Sequence, residues 1–260
     1  MRRIYAIFFA TIVLFIIFVA AIFLLPEPEG FPILEYHTVT KNPTPDSEVY
    51  NVPPEDFAAQ LDYLKENGYT TITLRKFTQV LNGVGKLPDK PIILTFDDGY
   101  EDNFTEMLPI LEEHKMTAVV YVITNNLGKP GYLTVEQLQE MQRRNIEIGS
   151  HTADHTALNW QSDHVKMNQI RGSKKFLEMY GLAVETFSYP NGAYSEKNAE
   201  LLKQEGYKNA VTGEVGLNNL ESNPYFLNRV HIRNPHFGIG EFKFRLWKAK
   251  IFAKFKAVLF

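Results

Sequence analysis

Hydrophobic and polar positions alternate along residues 31–240 in two ways that predict two kinds of element. Short apolar runs, such as Pro91–Phe96, are typical of buried strands. Longer amphipathic stretches, such as Asp163–Tyr180, are typical of helices that bury one face. Because the two kinds of stretch take turns along the chain, the pattern predicts a parallel sheet with helices packed outside it.

About seven strand and helix units in about 210 residues favour an α/β fold of the distorted or incomplete (β/α) barrel type over an open sheet. The predicted strands are Phe31–Tyr36, Thr70–Leu74, Pro91–Phe96, Ala118–Ile123, Ile146–Ser150, Thr186–Tyr189, Asn209–Thr212 and Arg229–Arg233. The predicted helices are Pro54–Asn67, Leu74–Leu81, Glu101–His114, Thr134–Arg144, Asp163–Tyr180 and Ser195–Glu205. Polar residues directly after the strands are the first candidates for a site, since barrels of this kind carry their chemistry there.

The start of the chain departs from this pattern. From Ile4 to Leu25 there are 22 consecutive uncharged residues, enough for a helix to cross roughly 30 Å of hydrocarbon. Arg2 and Arg3 precede the run, which predicts a cytoplasmic N-terminus and an extracytoplasmic domain. A signal peptide cleaved near Val19-Ala20-Ala21 is the alternative, although its apolar region is usually only about 7–15 residues long.

We therefore expect a single-pass protein of the cell membrane. Its parts are a transmembrane signal-anchor at residues 1–25, a Pro-rich spacer at 26–30, an extracytoplasmic domain at 31–240 and a basic helix at 241–260. The net charge of −3 divides into +2 for residues 1–25, +5 for 241–260 and therefore −10 for 26–240. Such an acidic domain argues against a nucleic-acid partner. The chain has no cysteine, which excludes disulfides, thiolate metal sites and a Cys nucleophile.

The last twenty residues predict an amphipathic helix. At 100° per residue its apolar positions fall within about 80° of one another, with basic residues along both borders. These positions are Phe244, Trp247, Ile251, Phe255 and Val258. The pattern is typical of a helix on an anionic membrane surface. The alternative is the last helix of the barrel, with this face packed on the domain.

Two carboxylates, Asp97 and Asp98, directly follow the strand Pro91–Phe96. Adjacent carboxylates repel each other unless a cation or a proton separates them. Since neighbouring residues of an extended chain point to opposite sides, one can bind a metal while the other acts as a base. A helix N-cap is the alternative interpretation, because a predicted helix follows.

His151 ends the strand Ile146–Ser150, and His155 follows four residues later. Histidines at this spacing on a helical turn face the same way and can share a metal. Two exposed helical histidines are the more common outcome, but this pair begins where a core strand stops. One Asp and two His supply three ligands and leave positions open for water and substrate, as catalytic zinc requires.

Two further strand ends carry candidate residues. Tyr189-Pro190-Asn191-Gly192 follows the strand Thr186–Tyr189 and predicts either a simple turn or a rigid backbone N–H that stabilises an oxyanion. His231 lies on the last predicted strand, where a single histidine is more often structural than catalytic.

Three segments together resemble the carbohydrate esterase family 4 polysaccharide deacetylases, which share the NodB-homology domain. The segments are Thr95-Phe96-Asp97-Asp98-Gly99-Tyr100, Ser150-His151-Thr152-Ala153-Asp154-His155 and Tyr189-Pro190-Asn191-Gly192. The resemblance covers about residues 31–235. Pro32–His37 and Phe57–Tyr69 are similar to the subgroup that includes the poly-N-acetylglucosamine deacetylases of biofilm matrices.

The resemblance implies a role for each matching residue. Asp97 is implied as the catalytic base, and Asp98, His151 and His155 as metal ligands. The backbone amide of Asn191 is implied as the oxyanion donor, and His231 as the general acid. Substrate-binding residues implied around them are His37, Tyr100, Tyr189 and Pro190.

Two family features are not found. Ser188 stands where the family usually has an Arg that braces the catalytic Asp, and the Asp-x-x-Asp-Trp motif that supports the general acid is not recognisable. Asn191 also stands at a position that is usually aromatic.

The expected function is removal of N-acetyl groups from an extracytoplasmic N-acetylglucosamine polysaccharide. Zinc is the expected metal, with cobalt, nickel or iron as alternatives. The expected partners are this N-acetylated polysaccharide and the membrane. An inactive glycan-binding module and an O-acetyl esterase acting on a glycan such as xylan are alternatives. The four residues Asp97, Asp98, His151 and His155 favour an enzyme over a binding module.

Overall fold

The computed structural model describes residues 25–259, together with Tyr5, Phe8, Phe9 and residues 11–13. Most of the predicted signal-anchor, and with it the test of that prediction, lies outside the described residues. Within the part of the chain that is described, no helix combines the length and the apolar character needed to cross a bilayer.

Seven parallel strands close into a barrel, as the alternation of elements predicts. The eight strands of the sheet are β1 (Ile33–Tyr36), β2 (Thr70–Thr71), β3 (Pro91–Phe96), β4 (Val119–Val122), β5 (Glu147–Ser150), β6 (Thr186–Ser188), β7 (Asn209–Val215) and β8 (Leu227–His231). Their order is β1-β8-β7-β6-β5-β4-β3-β2, and β1 also pairs with β3, which closes the ring. The strand β2 flanks the ring at β3 and has two residues rather than the predicted five. The barrel is closed and distorted, with an irregular register between β7 and β8.

Seven α-helices have their bounds within residues 25–259. They are α1 (Pro54–Glu66), α2 (Leu74–Leu81), α3 (Leu108–His114), α4 (Val135–Arg143), α5 (Asp163–Met179), α6 (Glu196–Gln204) and α7 (Ile239–Leu259). Hydroxyl side chains cap the starts of four of them, namely Thr73, Thr134, Ser162 and Ser195. These caps explain why the predicted starts lie within a residue of the observed ones.

The predicted helix Glu101–His114 is wrong in its first half. Asn103–Met107 forms a π-helix, and the α-helix begins at Leu108. Pro109 lacks an N–H, so the Thr105 carbonyl has no α-helical partner four residues on. The wider turn accommodates this missing hydrogen bond.

The two faces of each strand have different neighbours, because successive side chains of a strand point to opposite sides. Ile92, Leu94 and Phe96 of β3 belong to the cluster that packs against the helices. Ile93 belongs to a second cluster with residues of β1, β4, β7 and β8, inside the barrel. Two residues further along this inner face comes Thr95, and two further comes Asp97. The alternation of side chains along β3 therefore places polar residues inside the barrel at the carboxyl end of the strand.

The helix α7 packs on α1 and β8 through Phe242, Leu246 and Ala249, which are buried. Phe242 meets Tyr63 of α1 edge to face at 6.0 Å between ring centroids. Phe244 and Trp247, on the face that the sequence predicts to be apolar, are 55% and 45% exposed. The helix is thus attached to the barrel, but through a different face from the predicted one.

Glu147, at the start of β5, is a buried carboxyl with few partners. Its Oε2 accepts a hydrogen bond from the backbone N–H of Arg75 at 3.0 Å, while Oε1 has no partner among the described residues. Burial raises the pKa of Glu147 to about 7. The folded protein therefore holds this carboxyl in its protonated form at pH values where the unfolded chain has released the proton.

Replacing this carboxyl should remove a pH dependence of stability. Glu147 has an ordinary pKa of 4.5 and a folded pKa of about 7. The wild-type free energy of unfolding should fall as pH rises through this window, by on the order of 3 kcal/mol. Glu147→Gln should lose this decline, whereas the exposed control Glu200→Gln should keep it. Thermal unfolding followed by circular dichroism at about pH 5 and about pH 8 measures the difference. Parallel declines in wild type and Glu147→Gln would contradict the expectation.

Candidate active site

A cleft of about 460 Å³ opens at the carboxyl ends of the barrel strands. We call it the central cleft. It is lined by Glu35, His37, Asp46, Tyr50, Asp97, Asp98, Tyr100, His151, His155, Tyr189, Asn191, Gly192, Gly213, Arg229, His231 and Arg233. All the predicted site residues except Pro190 are in this lining. Pro190 is buried and starts the turn that carries Asn191.

Asp98, His151 and His155 form one group of ligand-type side chains. Their ligand atoms all lie within 4.8 Å of one another. Asp98 Oδ1 is 3.6 Å from Nε2 of each histidine. It is also buried and has no hydrogen-bond partner among the described residues. A buried carboxylate oxygen that faces two imidazole nitrogens fits a divalent cation, since such an oxygen is costly to leave unpaired.

The surroundings prepare both histidines to bind a cation. His151 Nδ1 donates to the Ser188 carbonyl at 2.8 Å, which leaves the Nε2 lone pair directed at Asp98. Burial, with the nearby His151, lowers the pKa of His155 and favours its neutral, ligating form. Asp98 and His155 also have left-handed backbone conformations, with φ of 74° and 57°. Such strain in non-glycine residues is typical of functional sites.

Asp97 points into the cleft from the inner face of β3 but pairs with a different partner. Arg229 donates from Nη1 to Asp97 Oδ1 at 2.9 Å and from Nη2 to Oδ2 at 2.8 Å. Ser188 Oγ also donates to Oδ2, at 3.1 Å. Burial alone would raise the pKa of Asp97, but the charge and hydrogen bonds of Arg229 outweigh it and hold that pKa well below its usual value. Asp97 is therefore an ionised, fixed carboxylate beside the three ligands.

Arg229 also joins Asp97 to the opposite side of the cleft. Its Nη2 lies 2.8 Å from Glu35 Oε2. The other oxygen of Glu35, Oε1, accepts from His231 Nδ1 at 2.8 Å. The four side chains thus form a chain of alternating charge, Asp97, Arg229, Glu35 and His231. The hydrogen bond to Glu35 raises the pKa of His231, and its Nε2 donates to the Gly213 carbonyl at 2.9 Å.

This chain supplies the two features that the sequence analysis did not find. Arg229, from β8, braces Asp97, and Glu35, from β1, supports His231. The sequence held an indication of both residues, because every second side chain of a strand lies on the same face. Arg229 shares one face of β8 with His231, and Glu35 is a charged residue within the apolar run Phe31–Tyr36. Which of these faces points inward became clear only from the closed barrel, where Glu35 lies beside His231.

Aromatic side chains form the walls of the central cleft. His37 packs against Tyr50 at 4.8 Å between ring centroids, and Arg233 lies 5.5 Å from the centre of the Tyr50 ring. On another side, Tyr100 stacks on Tyr132 at 5.3 Å. Aromatic faces of this kind suit the apolar faces of sugar rings as well as providing hydroxyl groups for hydrogen bonds.

The loop that carries Asn191 is held in place by two glycines. A Cβ on Gly192 would lie 2.5 Å from the backbone nitrogen of Gly213 in β7. This close approach presses the turn onto the strand and holds Asn191 in a left-handed conformation with φ of 56°. Tyr189, just before the turn, is buried in the cleft wall, and its hydroxyl has no hydrogen-bond partner among the described residues.

An ionised carboxylate beside three metal-type ligands, at the carboxyl end of a (β/α) barrel, is the arrangement of a hydrolytic enzyme. Comparisons with known proteins agree. The family model for polysaccharide deacetylases matches residues 84–210. The chain is 33% identical over 207 residues to YxkH of Bacillus subtilis, which is named as a polysaccharide deacetylase. The match covers 79% of this chain and 72% of YxkH. The chain belongs to the polysaccharide deacetylase family, carbohydrate esterase family 4.

Two further relatives are more specific. The poly-β-1,6-N-acetyl-D-glucosamine N-deacetylase of Staphylococcus aureus is 25% identical over 203 residues, which cover 72% of this chain and 70% of that protein. The structure of the Streptococcus pyogenes deacetylase PplD in complex with acetate superposes with a TM-score of 0.76 and 26% identity. That match covers 86% of this chain and 99% of PplD. The chain is therefore related to the poly-N-acetylglucosamine deacetylases.

Proposed function

We propose that this protein is a metal-dependent hydrolase that removes N-acetyl groups from an extracytoplasmic polysaccharide containing N-acetylglucosamine. One observation carries the proposal. Asp98, His151 and His155 form a ligand group in the same cleft as Asp97, whose carboxylate is held by Arg229 outside that group. A glycan-binding module has no need for a paired base beside unpaired ligand atoms.

Asp98, His151 and His155 would hold the metal, with one oxygen and two nitrogen donors. Zinc suits this set best, and cobalt, nickel and iron also accept it. A divalent ion bound there lowers the pKa of a water molecule and polarises the carbonyl of the acetamide. The hydrogen bond from His151 Nδ1 to the Ser188 carbonyl orients the ring for this role.

Asp97 would act as the general base that removes a proton from the attacking water. Its carboxylate is ionised at any physiological pH, because Arg229 lowers its pKa. Arg229 and Ser188 also fix its orientation through three hydrogen bonds. A fixed geometry lets the base meet the water without first reorganising. The backbone N–H of Asn191 would stabilise the negative charge that develops on the acetyl carbonyl oxygen.

His231 would act as the general acid. Its proton would move from Nε2, which donates to the Gly213 carbonyl, to the sugar nitrogen that leaves. The ring is 23% exposed at the cleft surface, so a substrate can reach it. The carboxylate of Glu35 keeps the ring protonated before the step and keeps Nδ1 engaged after it. Acetate and a glucosamine unit are the products.

The shape of the surface supports a polymeric substrate. The central cleft adjoins a second depression of about 570 Å³, with Asp46 and Tyr100 belonging to both. Residues that carry hydroxyl groups line this depression, among them Thr38, Thr40, Thr44, Ser47, Thr105 and Tyr132. Hydroxyls and stacked tyrosines can bind sugar units on one side of the reacting unit.

The uncharged segment Ile4–Leu25 supports a location at the cell membrane with the barrel outside the cytoplasm. Glycans of the cell surface are accessible from that side.

Substitutions of the two neighbouring aspartates should have different effects on metal content and activity. Asp98→Ala removes a metal ligand, so metal content and acetate release should fall together. Asp97→Asn should keep the metal and lose roughly 10²–10⁴ in rate, the usual scale for a missing general base. Metal analysis of the purified variants and acetate release from poly-N-acetylglucosamine, peptidoglycan and chitin oligosaccharides measure both effects.

The same assay contains its own controls. O-acetylated xylan distinguishes an amidase from an esterase, because the esterase would release acetate from xylan and not from the N-acetylated glycans. Equal loss of metal in Asp97→Asn and Asp98→Ala would show that the two roles are misassigned.

The pair Glu35 and His231 should set the alkaline limit of activity. Glu35 raises the pKa of His231, so the acid stays protonated to a higher pH. Glu35→Gln should lower that pKa, and the alkaline limb of the kcat profile should move to lower pH while the metal content stays constant. Glu214→Gln is a matched control, since Glu214 is exposed on the neighbouring strand β7. An unmoved alkaline limb in Glu35→Gln would exclude His231 as the acid.

A further inference from the structure

The spacer that follows the hydrophobic segment is fixed against α7. The ammonium group of Lys254 donates to the Leu25 carbonyl at 2.9 Å. Lys254 and Lys250 also lie 3.4 Å and 3.3 Å from the two carboxylate oxygens of Glu27. The Lys254 side chain is only 7% exposed, so its contacts with Leu25 and Glu27 are packed against the domain. The chain therefore approaches the barrel alongside the second half of α7.

The outer face of α7 is aromatic and basic. Phe244 is 55% exposed, Trp247 45% and Phe252 44%. Exposed lysines stand among these rings, namely Lys243, Lys248 and Lys256. Residues 241–260 carry a net charge of +5, whereas residues 26–240 carry −10. Exposed aromatic rings bordered by lysines match the interfacial layer of an anionic bilayer, where rings lie at headgroup depth and lysines meet phosphates.

We propose that α7 lies on the bilayer surface, with its outer face among the headgroups of anionic lipids. The inference rests on the proposed membrane anchor, because Leu25 is the last residue of the uncharged segment and would emerge at that surface. Lys254 is hydrogen-bonded to Leu25, so the second half of α7 must lie at the same level. The packed face of Phe242, Leu246 and Ala249 then fixes the barrel on top of the helix.

This placement determines where the active site opens. The first half of α7 lies next to the central cleft, since Arg245 Nη1 donates to the His231 carbonyl at 3.0 Å. The nine positions from Arg245 to Lys254 span about 14 Å of helix, so α7 leads away from the cleft towards Leu25. With α7 flat on the bilayer, the central cleft next to its first half lies close to the membrane. The enzyme would then act on glycan close to the bilayer surface.

The two tryptophans allow a direct test with the full chain in vesicles. Trp160→Phe leaves Trp247 of α7 as the sole tryptophan, and Trp247→Phe leaves Trp160, which is 86% exposed on the loop after β5. The vesicles contain phosphatidylcholine and phosphatidylglycerol, with bromine near the headgroup end of the acyl chains. Shallow bromine should quench Trp247 and leave Trp160 unquenched. Lys248→Glu should weaken the quenching of Trp247, while the control Lys203→Glu on α6 should not.

Flotation of the same samples separates this inference from the membrane anchor. A chain that floats with the vesicles but shows no quenching of Trp247 overturns the placement of α7 and leaves the anchor intact. A chain that does not float overturns the anchor and the placement together. Acetate release by both single-tryptophan variants, at the wild-type rate, shows that they are folded and keeps the enzymatic function apart from either result.

Discussion

The buried guanidinium of Arg229 is the group on which the site depends. It lies between two carboxylates, with Asp97 on one side and Glu35 on the other, and is 2% exposed. Taking three charges out of water costs several kcal/mol per ion unless each finds well-placed partners. Here the fork of Arg229 binds Asp97 through two hydrogen bonds, and its Nε donates to the Thr212 carbonyl at 2.9 Å. Loss of the cation would leave two like charges buried together.

The same ion pair gives the two aspartates different surroundings. Asp97 is committed to Arg229, while Oδ1 of Asp98 is left facing His151 and His155. Neighbouring carboxylates of one sequence motif thereby acquire different surroundings, one in an ion pair and one facing two imidazole nitrogens. On the other side of Arg229, Glu35 pairs with the guanidinium and accepts a hydrogen bond from His231. Asp97 and His231, the proposed base and acid, are thus held by one electrostatic chain that crosses the top of the barrel.

The sequence was sufficient to predict the barrel and to find most of the residues that line the candidate site, because both depend on local patterns. Alternating apolar runs predicted the strands, and polar residues after the strands predicted Asp97, Asp98, His151 and His155. Arg229 and Glu35 were missed because their roles need contacts between β1, β3 and β8, which are far apart in the chain. The packed face of α7 likewise depends on tertiary contacts, with α1 and β8. The π-helical turn before α3 has a local cause in Pro109, which the sequence analysis did not use.

Anomalous diffraction from zinc-loaded crystals tests the central claim most directly. The account predicts a zinc peak at about 2.0–2.2 Å from an oxygen of Asp98 and Nε2 of His151 and His155. Asp97 should remain outside that coordination and paired with Arg229 through both of its oxygens. A peak bonded to Asp97, with Arg229 released, would contradict the assignment of base and ligand. A peak away from the two histidines would contradict the site itself.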